Sequence, residues 1–70
     1  MNEYKYIHFV KTEDLPKTAI YSCRNNSNGE ELGIVRWYSP WRQYCFLPTT
    51  PAVYSKGCLD DIGSFMAGLR

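Results

Sequence analysis

LGIVRWYSPWRQYCFL, residues 32–47, is the stretch whose reading decides the fold. It holds two runs rich in β-branched and aromatic residues, 32–38 and 41–47, on either side of Ser39-Pro40. Such residues suit a pleated, half-buried surface, and Ser-Pro between two apolar runs is turn chemistry. The stretch therefore predicts an antiparallel hairpin. With two residues in the loop, Tyr38 faces Trp41, Arg36 faces Gln43 and Ile34 faces Cys45 on one side. Trp37 with Arg42, Val35 with Tyr44 and Gly33 with Phe46 fall on the other. A four-residue loop leaves the two faces unchanged, because side chains alternate with period two, whereas a three-residue loop exchanges them.

Upstream, residues 25–31 (NNSNGEE) form the clearest turn, since Asn28-Gly29 tolerates the positive φ that tight hairpins require. Residues 18–24 (TAIYSCR) then read as the preceding antiparallel strand, with Ala19, Tyr21 and Cys23 on one side and Ile20, Ser22 and Arg24 on the other. Residues 11–17 (KTEDLPK) are polar, contain Pro16 and read as a connection. Residues 4–10 (YKYIHFV) read as a first strand, or as an arm along the sheet edge. Downstream, Pro48 and Pro51 break the pattern, because proline removes a ladder donor and restricts its predecessor. Residues 52–54 are a short strand or merely extended.

Residues 58–69 switch to helical spacing, with Cys58, Leu59, Ile62, Phe65, Met66 and Leu69 recurring at three and four. Ser55 is placed to cap this helix, Tyr54 to staple onto Leu59, and Asp60 and Asp61 to lie near its positive end. Gly63 and Gly68 each weaken it by roughly 1 kcal/mol relative to Ala, so it needs the sheet for support. The fold class is thus α+β: a three- to four-stranded antiparallel sheet, residues 18–54 with the N-terminal strand or arm, packed on one face by a single C-terminal helix. One small domain accounts for all 70 residues. The Val35, Tyr44 and Phe46 side is the more continuously aromatic and is expected to receive the helix, with Gly33 allowing close approach to the backbone.

The opposite face collects Arg36, Tyr38, Trp41 and Gln43, with Arg24 on the neighbouring strand. This patch reads in two ways. A Trp–Tyr pair beside a long cationic stem stabilises hairpins by cross-strand packing, and the same residue types are enriched in binding surfaces.

Composition narrows the function classes. Six Tyr, three Phe and two Trp in 70 residues supply large buried areas for a chain that hides only about 60% of its unfolded surface. The formal charge of +1 lacks the basic excess usual where phosphate contacts dominate. No apolar run approaches the roughly 20 residues of a membrane span, and the first residues lack a secretory layout, so a cytoplasmic location is expected. Cys23, Cys45 and Cys58 are odd in number and widely spaced, which favours buried, reduced thiols over a disulfide framework or a zinc site. His8 with Cys45 or Cys58 lacks an orienting third group. Asp60 and Asp61 are explained by the helix dipole, Glu30 and Glu31 by an exposed loop. No phosphate loop or HExxH motif occurs. Neither an enzyme, a metal nor a cofactor is expected.

The run from Leu32 to Phe46 resembles the centre of a group of short bacterial and phage-borne proteins. In these an LG-x-[IV]-x-W-Y-x-x-W-R-x-Y-x-F hairpin precedes a helix opening much like Cys58-Leu59-Asp60-Asp61-Ile62. The resemblance covers residue 18 to the end and implies no activity. Three antiparallel strands followed by a helix are also similar in architecture to the arm-binding domains of phage and transposon integrases and to plant AP2 domains. That likeness implies DNA contact through the sheet face away from the helix, by Arg24, Arg36, Trp41 and Gln43. The expectation is a small non-enzymatic interaction module, an accessory or regulatory protein of a phage or mobile element. Its partner is a protein or a second copy paired along a sheet edge; the alternative is a nucleic-acid-binding domain.

Overall fold

The structure is a computed structural model and describes residues 2–69. Strands β1 (Ile7–Asp14), β2 (Ala19–Asn25), β3 (Glu31–Tyr38) and β4 (Gln43–Pro48) lie in that order in one antiparallel sheet, and α1 (Lys56–Leu69) follows. The α+β class is therefore as the sequence implies. Residues 51–55 belong to no strand or helix, so the short strand offered above for 52–54 does not form.

The β2–β3 and β3–β4 loops share one construction. Residues 26–29 close with Gly29 N–H donating to Asn25 O at 2.8 Å, and residues 39–42 close with Arg42 N–H donating to Tyr38 O at 2.9 Å. In each, the fourth loop residue takes a left-handed backbone: Gly29 at φ 74° and Arg42 at φ 55°. Four-residue hairpin loops built around a type I turn need that last reversal. Trp41 and Arg42 consequently belong to the turn rather than to β4, and Tyr38 pairs with Gln43, Arg36 with Cys45 and Ile34 with Leu47. The expected pairing is thus displaced by two residues, while both faces keep their membership, as period two requires.

β1 departs further from expectation. It begins at Ile7 and runs through Lys11 to Asp14, the segment read as a connection. An irregularity between Lys11 and Glu13 lets this exposed, polar end stay paired with β2, and Thr12 Oγ1 donates to Ile20 O at 3.2 Å. Residues 2–6 form an arm: Tyr4 N–H donates to Ile7 O, and Phe9 N–H to Asn2 O, both at 2.9 Å.

The core lies between α1 and the sheet face carrying Ile7, Phe9, Cys23 and Val35, against which Ile62 and Phe65 are buried. Phe65 stacks on Phe9 with ring centroids 3.9 Å apart, and Tyr21 meets Phe65 edge-on at 5.0 Å. A second irregularity, between Cys23 and Arg24, brings Leu32 into this core as well. Gly33 is needed here because the ring of Phe46 lies across it: a Cβ at Gly33 would stand 2.5 Å from Phe46 Cζ and 2.7 Å from Leu47 O.

Ser55 caps α1, its Oγ accepting from Cys58 N–H at 3.1 Å. Because the helix starts at Lys56, Asp60 and Asp61 fall beyond its first turn, and Asp60 instead pairs with Lys56 at 2.7 Å. The expected staple is also absent. Tyr54 turns to Phe46, edge-on at 5.9 Å, and donates its hydroxyl to Leu32 O, leaving Leu59 55% exposed. Among the described residues, no helix is long and apolar enough to cross a membrane.

Candidate binding surface

With α1 on one face, the other face of the sheet is uncovered. Across its middle run Val10, Ser22, Ile34 and Leu47, one from each strand. Ser22 is fully buried even without a covering layer, because polar partners close over it. Its Oγ donates to Glu31 at 2.7 Å and accepts from Arg24 Nε at 3.0 Å, while Thr49 Oγ1 donates to the other Glu31 oxygen at 3.0 Å. These hydrogen bonds hold the Glu31 carboxyl below its ordinary range, Arg24 adding a smaller effect.

The five residues singled out in the sequence therefore separate. Arg24 belongs to the Glu31 network, beside the β2–β3 loop. Arg36, Tyr38 and Gln43 lie toward the opposite end of β3 and β4. Five residues along β3 from Glu31 to Arg36 amount to about 17 Å. Trp41 joins the second group from the turn: its ring meets Tyr38 edge-on, centroids 5.2 Å apart and planes at 85°. Trp41 is 66% exposed and Tyr38 39%. With Cys45 and Leu47 they line a shallow hollow of about 270 Å³ that contains no charged group. Cys45 and Leu47 escaped the sequence reading because the two-residue shift in pairing brings them beneath Trp41. Side-chain alternation carries no signal for them, because a shift of two residues leaves both faces unchanged.

Arg42 and Gln43 also border a second hollow of about 560 Å³ on the helix side, between the hairpin tip and Gly63 and Met66. The tip thus projects between two concavities. His8 Nδ1 lies 2.6 Å from Asn26 Oδ1, and Cys23 is buried on the helix face with its thiol pushed up to about 11, chiefly by burial. Cys45 and Cys58 are half-buried, so of the three expected buried thiols only Cys23 is fully enclosed. Among the described residues, no three His, Cys, Asp or Glu side chains cluster as metal ligands would.

Comparison with protein-family models, with curated proteins and with solved structures returns no match.

Proposed function

We infer that this chain is a protein-interaction module, without catalysis of its own, that engages its partner through the uncovered sheet face at the β3–β4 tip. The observation that carries this reading is Trp41, two-thirds exposed and held edge-on against Tyr38 over the uncharged hollow with Cys45 and Leu47. A pre-positioned aromatic pair gives large contact area at small entropic cost, and such anchors dominate binding energy. Arg36, on the same face and without an ion-pair partner among the described residues, suits a carboxylate at the rim. The reading favours a partner that offers an apolar side chain flanked by an acidic one.

DNA contact through the same face is supported by Arg36 and Gln43, but Arg24 is held by Ser22 and the carboxylate of Glu31 shares that face. One experiment separates the two. Immobilised wild type and Trp41→Ala, both folded by circular dichroism, are challenged with cell lysate and, separately, with fluorescent duplex DNA at low salt. A protein retained by wild type and lost by Trp41→Ala supports the module. Equal retention by both overturns the role of the tip, and DNA binding that falls steeply with salt supports the alternative.

A further inference from the structure

We propose that β4 is a self-pairing edge through which two copies of this chain join antiparallel, with Cys45 on the two-fold axis. The proposal does not rest on the open face binding a partner.

The two edges of the sheet are treated differently. The outer side of β1 is occupied at its start by the arm, through the bonds of Phe9 N–H and Ile7 O and the Glu3–His8 bridge. Its later part carries Lys11, Glu13 and Asp14 and the pairing irregularity. Coverage, charge and bulges are the usual means of blocking further pairing. β4, QYCFLP, carries no charge, and among the described residues no segment pairs with its outer side.

The hydrogen-bonding pattern specifies the partner. Thr49 N–H donates to Leu32 O, so by alternation Leu47, Cys45 and Gln43 address β3, and Tyr44 and Phe46 direct their N–H and C=O groups outward. An axis through Cys45 places Tyr44 opposite Phe46 of the second copy, and Phe46 opposite Tyr44 of the second copy. The outward N–H and C=O groups of Tyr44 and Phe46 then all find a complement, and only Pro48 at the strand end falls opposite the turn. Moving the axis to Phe46 sets Tyr44 against Pro48, which has no N–H, and moving it to Tyr44 sets Phe46 against Arg42 in the turn. The strand is symmetric in character about Cys45, aromatic on both sides, so self-pairing yields two aromatic cross-strand pairs on the helix face. A second copy therefore fits better than an arbitrary strand.

On the open face the two Cys45 residues become a non-hydrogen-bonded pair with Cα atoms about 4.5 Å apart. That is within the range of about 4.4–6.8 Å for a disulfide. The two hollows, each containing Cys45, become neighbours across the axis. Edge pairing alone buries less than the roughly 1,200 Å² of a durable complex, so the dimer is weak and in exchange with monomer.

Sedimentation equilibrium under reducing conditions is expected to show a reversible monomer–dimer equilibrium. Diamide, which is reduced to the hydrazine as two thiols lose their hydrogens to form one S–S bond, is expected to trap a dimer linked Cys45 to Cys45. Cys45→Ser should keep the equilibrium and lose the trap. Cys45→Lys places like charges opposite one another and should weaken the dimer roughly tenfold while the monomer stays folded. A chain that stays monomeric to millimolar concentration, a cross-link that maps to Cys58, or a dimer that Cys45→Lys leaves intact each overturns the proposal.

Discussion

Arg42 and Gly29 occupy the same position in two loops of the same build, and only one of them suits it. An L-residue in the left-handed region costs about 1–2 kcal/mol, whereas glycine enters it freely at an entropic cost of roughly 0.5–1 kcal/mol. Arg42 is exposed, so little contact is lost on replacing it. Arg42→Gly is therefore expected to raise stability by about 0.5–1 kcal/mol, read as a higher urea midpoint at unchanged slope. Gly29→Ala should lower it by about 1 kcal/mol although open space surrounds that position, since the strain there is in φ alone. At Gly33 the φ is ordinary and the obstacle is steric: the added methyl meets Phe46 and the Leu47 carbonyl, and Gly33→Ala should cost about 1–3 kcal/mol. An unchanged midpoint in Arg42→Gly would contradict the left-handed assignment of the tip.

At the scale of strands and helix, Glu31 ties β2 to the segment following β4 by accepting from Ser22 and Thr49. Its pKa is lowered in the folded chain, so the network adds stability that is fully present above the ordinary carboxylate value near 4.5. That stability is lost as pH falls through the lowered folded value. The stability advantage of the native chain over Glu31→Gln should therefore hold at neutral pH and shrink on acidification below about pH 4.5. A difference that stays constant down to strongly acidic pH would remove the carboxylate from this role. The elements that periodicity governs were legible in the residues. The spacing of Ile62, Phe65 and Met66 marks the helix and its buried side, and alternation assigns Val35 and Phe46 to the helix face. Periodicity does not determine strand register. A shift of two residues between β3 and β4 preserves both faces, so nothing in the pattern of apolar residues distinguishes Trp41 opposite Tyr38 from Gln43 opposite Tyr38. The apolar run of the first strand stops at Val10, yet backbone pairing continues through the exposed residues Lys11 to Asp14. The candidate site inherits the ambiguity of register, since Cys45 and Leu47 enter it only in the observed pairing.

For the whole molecule, the consequence is a sheet with one face covered and two edges of unlike character. The arm that shields β1 is tied down by the backbone bonds to Ile7 and Phe9, by Asn26, which donates Nδ2 to Tyr4 O at 2.8 Å and to Lys5 O at 3.2 Å and its backbone N–H to Tyr6 O at 2.9 Å, and by the edge-on packing of Tyr4 on Phe9. Phe9 in turn carries the stacked contact with Phe65, so the arm supports the core as well as the edge. Deleting residues 1–5 should therefore do two separable things. Thermal unfolding should move to lower temperature, because Phe9 loses its Tyr4 partner and part of its cover. The start of β1 should also become available for pairing, adding an association route independent of β4. The two routes are distinguished by the same substitution: Cys45→Lys is expected to weaken association of the full chain but to leave a residual, concentration-dependent association in the shortened one. If the shortened chain carrying Cys45→Lys sediments as a monomer at every concentration, β1 is kept from pairing by its charges and irregular pairing alone, and the arm serves the core rather than the edge.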